Sequence, residues 1–226
     1  MSPEYSGTRD FVQTSAKIID SALRKIGVTL QGGTPSATQY SEATVALNSM
    51  VQSWQNRGVF LWTIQTTTID LVQGEAFCII SSDDILDFQN PRIKNVDVIT
   101  HLKKLTREDF LLLGPIGSLG IPESIYILKQ LTQNVINLFP APDKSTYKLV
   151  IDYVMRLQDF VSATNMPDFP VEWSDALIWG LAFRISHEYG VPIQEREALR
   201  REAEQFFIEA FANSREGGSI QFGRKM

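Results

Sequence analysis

Asp83, Asp84, Asp87, Asp97 and His101 lie close together in this sequence. Carboxylates and an imidazole are ligands of hydrolytic metal centres, where three or four of them converge on one ion. The chemical reading of this set is a metal-dependent hydrolase using Asp83, Asp84 and Asp87 with His101. The plain reading is a solvated acidic loop, because the spacing departs from the DxDxDG order in which glycine turns a calcium loop inward. His187 stands near the end of a helical stretch, where a helix C-terminus favours a cationic imidazole. Neither histidine accompanies a serine or cysteine set in a GxSxG elbow. The phosphate-cradling patterns GxxxxGKS/T and GxGxxG are absent as well. The sequence therefore assigns no catalytic residue, no metal site and no cofactor, and the expectation is a protein that is not an enzyme.

Cys78 is the only cysteine, so neither an internal disulfide nor a thiolate cluster can form, and its apolar setting (AFCII) reads as a buried thiol. Trp54, Trp62, Trp173 and Trp179 invite a ligand-stacking reading. Trp54 and Trp179 fall on inward helix faces and Trp62 at a helix-to-strand corner, so core or subunit interface is the better assignment. The C-terminal segment Ser214–Met226 (SREGGSIQFGRKM) carries Arg215, Arg224 and Lys225 against Glu216, a net +2 in a chain of net −5. Ile220 and Phe222 alternate there with polar residues. One reading is a frayed terminus. The other is a docking arm that adds an extended strand to a partner and seats Ile220 and Phe222 in pockets.

The chain has 226 residues, 43% hydrophobic and 21% charged, which suits one compact domain or a core domain with a smaller second one. A net charge of −5 argues against wrapping nucleic acid through phosphate neutralisation. No apolar run approaches the length of a membrane-spanning helix, so no membrane partner is expected. The start, MSPEYSGTRD, lacks the layout of a signal peptide, and assembly in a cytoplasm is the expectation.

Apolar spacing predicts a first helix over 9–26, capped by Gly27, and a second over 37–57, stopped by Gly58. The short link between them predicts an antiparallel helix pair. Strands are predicted over 63–72 and 76–80, a polar loop over 81–94, and a further strand over 96–105. Thr106 caps a short helix with Asp109 in the capping-box position. The stretch 114–122 is irregular, and 124–131 pairs with 135–139. Val135–Phe139 is also read as a hairpin with Tyr147–Leu157, reversed at Pro140, Pro142 and Asp143. Beyond Asp168 and Pro170 the period changes from two to about 3.6, giving helices over 171–189 and 192–213. The expected fold class is α+β: a helical bundle from the N- and C-terminal helices with an inserted, mostly antiparallel β domain. The expected domains are 1–60 with 168–226, helical and ring-forming, and 61–167, the inserted β domain.

Three blocks carry a resemblance. They are SALRKIGV (Ser21–Val28), ATVALNSMVQSWQNRGVFLW (Ala43–Trp62), and the strand, proline corner and tryptophan-rich helix of Val135–Gly190. In that order they resemble the head-to-tail adaptors of tailed phages, of the tail tubular protein A and tail accessory factor types; nothing in 81–122 shares the resemblance. The resemblance implies a dodecameric ring in the neck of the virion. Such a ring binds below the portal protein, meets the tail nozzle or tube, and lets genomic DNA pass without sequence-specific binding. It also implies that the tail, with Arg215, Ile220, Phe222, Arg224 and Lys225, reaches along the portal or a neighbour. A host-surface binding module built on the β domain is the remaining alternative; it predicts exposed Trp or Tyr on a sheet face.

Overall fold

The structure, a computed structural model, describes residues 13–30, 32–59, 61–81, 84–114, 117–162, 164–165 and 169–213. Along the chain run α1 (Ser15–Lys25), α2 (Ala37–Asn56), β1 (Ile64–Asp70), β2 (Phe77–Ile80), β3 (Ile85–Asn95), β4 (Val98–His101), β5 (Lys103–Lys104) and α3 (Arg107–Leu111). There follow β6 (Leu119–Gly120), β7 (Ser124–Lys129), β8 (Asn134–Phe139), β9 (Ala141–Pro142), β10 (Tyr147–Met155), α4 (Ser174–Ile185) and α5 (Ile193–Asn213). Helices together with largely antiparallel sheets make this an α+β protein. It divides into two compact units, Met1–Leu61 with Leu157–Met226, and Trp62–Arg156.

In the first unit the helix ends are written in local chemistry. Ser36 Oγ accepts the Gln39 N–H at 3.2 Å, and Gln39 Oε1 accepts the Ser36 N–H at 2.8 Å, a complete capping box for α2. α1 and α2 both finish in Schellman turns. Val28 N–H donates to Leu23 C=O and Gly27 N–H to Arg24 C=O; Val59 and Gly58 repeat the pattern on Trp54 and Gln55. The turning residues have φ of +73° (Gly27) and +94° (Gly58), which glycine adopts without a Cβ penalty.

α1 and α2, expected to pair with each other, touch but pack more extensively on α4. The cause is the composition of α4, whose buried residues Ala176, Leu177, Ile178, Gly180, Leu181, Ala182 and Ile185 surround most of its circumference. A helix that is apolar nearly all round must be covered on several sides. α5 covers it too, with Leu199, Ala203 and Ala210 buried. Trp54, Phe169, Trp173 and Phe207 form one aromatic cluster, with Trp54–Phe207 centroids 5.1 Å apart and Trp173 fully buried.

Helix α2 packs closely on α4 at Gly180. A Cβ there would lie 2.9 Å from both Met50 Sδ and Trp54 Cζ2. Helix propensity favours Gly180→Ala by about 1 kcal/mol. The Met50 thioether can swing away, but the Trp54 indole is held in the aromatic cluster, and overpacking costs about 1–3 kcal/mol. The variant is therefore expected to lose stability, and Gly180→Val to lose more. A rise in the urea midpoint of Gly180→Ala would show that propensity outweighs the clash.

The segment after β10 has no period of its own and is held by side chains of α2. Asn48 both donates to the Phe160 C=O (3.1 Å) and accepts its N–H (2.8 Å), Gln52 donates to Asp159 (3.1 Å), and Gln55 accepts the Leu157 N–H (3.2 Å). These three residues sit at helical spacing on one face, and they leave Leu157 and Phe160 buried.

In the second unit, two four-stranded sheets, β1-β10-β3-β4 and β2-β8-β7-β5, share one core. Ile85, Phe88, Ile93, Tyr147, Leu149 and Ile151 of the first face Ile125, Ile136 and Leu138 of the second. Two sequence expectations fail here. The predicted loop over 81–94 contains β3, an 11-residue strand paired on both sides. Two irregularities mask its alternation: the register on β10 shifts near Leu86 and again where Asn90–Pro91 stand opposite Ile151, with Asn90 at φ 46°. The predicted hairpin of Val135–Phe139 with Tyr147–Leu157 does not form. β8 pairs with β7 and β2, β10 pairs with β1 and β3, and the proline corner carries the chain from one sheet to the other. The β7–β8 pairing is present, as is the short helix α3, where Thr106 Oγ1 accepts the Asp109 N–H at 3.2 Å and donates to Asp109 Oδ2 at 2.8 Å.

Candidate functional site

The described members of the acidic set do not converge. Asp83 lies outside the described residues, and Asp84, Asp97 and His101 are exposed. Asp87 projects from β3 rather than from a loop, and its Oδ1 is taken by Lys104 Nζ (3.2 Å) and Lys129 Nζ (2.9 Å). Partial burial raises the pKa of this carboxyl, but the Lys129 hydrogen bond, the Phe88 backbone and the two ammonium charges outweigh it, and the net shift is downward. Among the described residues no group of three His, Cys, Asp or Glu could hold a metal. Cys78 is half-buried against the core rather than buried in it, and desolvation pushes its thiol up to about 11, which makes it a poor nucleophile at neutral pH. His187 is exposed beyond the end of α4.

The lowered pKa of Asp87 has a testable sign. Its contribution is present above the unfolded carboxylate pKa and is lost as pH falls through the lower folded value. The pair is half exposed, so Asp87→Asn is expected to cost only about 0.2–1 kcal/mol at pH 7. Urea midpoints of variant and wild type are expected to converge as pH falls below about 4. A gap that persists at low pH would mean that packing, not charge, sets the effect.

A second charged cluster escaped the sequence reading. Asp152 on β10 is buried and accepts from Arg92 Nη2 (2.7 Å), Thr66 Oγ1 (2.7 Å) and Asn90 Nδ2 (3.2 Å). Its partners come from β1 and β3, and register brings them to one face; no local spacing announces it. The Asp152 carboxylate is fully engaged by these fixed donors, which marks a structural knot.

Two surfaces remain for binding. In the helical unit, a groove of about 360 Å³ is lined by Met50, Trp54, Phe207 and Ile208, with Arg57, Arg184, Arg200 and Glu204. Arg57 stacks over Phe207 (5.7 Å), and Arg184 Nη2 donates to Ser49 Oγ at 2.6 Å. Its guanidinium groups and apolar side chains suit this groove to pairing with anions and shielding apolar groups. In the β unit, the edge strand β2 exposes Phe77 and Ile79, and the edge strand β4 exposes Val98 and Ile99.

No tryptophan or tyrosine is exposed among the described residues, so the aromatic surface predicted for a host-binding module is missing there. Trp54 and Trp173 are core, and Trp179 stacks on Phe206 (6.0 Å) beneath Lys25 Nζ (4.3 Å). The tail residues Arg215, Ile220, Phe222, Arg224 and Lys225 lie outside the described residues.

No helix of the described residues is long and apolar enough to cross a membrane. No curated protein matches the chain. A family model described as SU10 adaptor protein matches residues 13–221, spanning both units and extending into the tail as far as Ile220 and Gln221. With surfaces suited to binding and a family match that runs through both units, the chain belongs to the SU10 adaptor protein family and is a head-to-tail adaptor of a phage.

Proposed function

We propose that copies of this structural phage protein form a ring below the portal, a dodecamer by the family resemblance, which joins the portal to the tail nozzle or tube and lets DNA through. The observation that carries the reading is the adaptor family match across residues 13–221. The helical unit forms the ring wall as a bundle, and the β unit projects towards tail components or neighbours. A net charge of −5 suits a channel through which DNA must slide, since a lumen rich in Lys and Arg would hold phosphates. Assembly takes place in the host cytoplasm, and the finished ring belongs to the neck of the virion.

The size of the purified protein, alone and mixed with its portal protein, tests this reading. The expected result is a small species that enters a large ring complex only when the portal is present. A chain that never joins the portal sinks it. Residues 214–226, with Arg215, Ile220, Phe222, Arg224 and Lys225, form the arm by which each copy grips the portal or the next copy. Deleting them is expected to leave the circular dichroism spectrum unchanged and to weaken ring attachment by about 100-fold or more, because the loss is multiplied over many copies. Unchanged attachment removes the arm from the scheme.

A further inference from the structure

Among the described residues, strand β2 is an edge of its sheet with no strand on its outer side. Leu138 N–H donates to Ala76 C=O at 2.8 Å, so Ala76, Cys78 and Ile80 turn their backbone groups towards β8. Phe77 and Ile79 then turn theirs away from the sheet, where an added strand can pair with them. Their side chains are 52% and 49% exposed, while Cys78 and Ile80 pack on the core.

The sheet edges differ in charge. β5 is Lys103–Lys104, and β4 runs beside Lys94 and Lys103. The outer row of β1 carries Ile64, Thr66, Thr68 and Asp70, the last paired with Lys148 at 2.7 Å. Among the described residues, β2 is preceded by the exposed acid Glu75, and no Lys or Arg stands from there to the start of β3. The C-terminal segment is its complement: Ile220 and Phe222 alternate and are followed by Arg224 and Lys225.

We propose that β2 of each copy receives the segment around Ile220–Arg224 of a neighbouring copy as an added antiparallel strand. One register satisfies both kinds of contact. With Ile220 opposite Ile79, Phe222 falls opposite Phe77 and Arg224 opposite Glu75, while Arg215 lies beyond the end of β2. Apolar and opposite-charge cross-strand pairs are the stabilising ones. Parallel addition with Ile220 beside Phe77 sets Arg224 against Ser81 and Gly218 against Glu75, and forfeits the ion pair. The 13 residues after Asn213 span up to about 45 Å when extended, enough to leave their own copy. Donor and acceptor are different surfaces, as a closed ring requires. The choice of a neighbouring copy as donor rests on the ring reading above.

Cross-linking full-length chains tests this. In a Cys78→Ala background, one chain carries Ile79→Cys and another Ile220→Cys. Mixed with the portal protein under mild oxidation, they are expected to give an interchain heterodimer. Its yield is expected to exceed by about tenfold that of Ile79→Cys with Gln221→Cys, whose side chain points to the opposite face. Phe77→Cys with Phe222→Cys repeats the test at the second apolar pair. Glu75→Arg is expected to lower the yield, and Arg224→Glu on the donor to restore it. Equal yields from matched and shifted pairs overturn the proposal, as does the absence of heterodimer. A doubly substituted chain that closes only on itself also overturns it, by making the donor the same copy. Ring size is measured in parallel on the wild type: a ring without cross-links sinks the docking and spares the ring, and cross-links without a ring do the reverse.

Discussion

Trp173→Ala is expected to cost about 3–5 kcal/mol, the range for deleting a fully buried large aromatic. Trp173 has no exposed surface and sits against Trp54, Phe169 and Phe207, at centroid distances of 5.7 Å to each. The neighbours cannot collapse into the space easily, because Trp54 is itself fixed by α4 at Gly180. A compact unit is stable by only about 5–15 kcal/mol, so this loss is a large share of the total. Hydrogen exchange read by mass spectrometry separates the units. Protection is expected to fall in α1, α2, α4 and α5, while β3, β8 and β10, whose core contains none of these rings, keep theirs. An equal fall in both would mean that the two units unfold as one. Retained protection throughout would show that the aromatic cluster matters less than its burial implies.

The second large effect belongs to the β unit. Asp152→Ala leaves the Arg92 guanidinium, the Thr66 hydroxyl and the Asn90 amide without their common acceptor. Removing one partner of a buried pair costs about 3–5 kcal/mol when the other charge stays buried. The Arg92 side chain retains 27% exposure and can be partly rehydrated, so a loss below that range, about 2–3 kcal/mol, is expected. The control is Asp152→Leu with Arg92→Met. If the stranded charge causes the damage, the double variant recovers most of the stability that Asp152→Ala loses, measured by urea denaturation at pH 7. If it recovers nothing, the hydrogen bonds to Thr66 and Asn90 carry the effect, and the ion pair is incidental.

The knot around Asp152 also shows where reading along a chain stops. Thr66, Arg92 and Asp152 come from β1, β3 and β10, and only the register of three strands makes them neighbours. The arginines of the helical groove are dispersed in the same way: Arg57 follows α2, Arg184 belongs to α4 and Arg200 to α5. β3 was hidden because its core residues Ile85, Phe88 and Ile93 are separated by three and five positions, an odd spacing created by irregularities in the strand. A period of two cannot survive an inserted residue.

Local chemistry, in contrast, wrote itself plainly into the chain. Gly27 and Gly58 end helices because the next backbone turn needs positive φ, and Thr106 starts one because its hydroxyl meets an amide three residues on. The apolar stripes of α2 and α5, the β7–β8 ladder and the membership of an adaptor family were all within reach of residue order. Partner choice was not. Nothing in Val135–Phe139 or Tyr147–Leu157 states that they join different sheets, or that α4 rather than α1 is the main neighbour of α2. A stripe or an alternation tells which face seeks burial. Which element covers it depends on contacts between distant residues, and those exist only once the chain has folded.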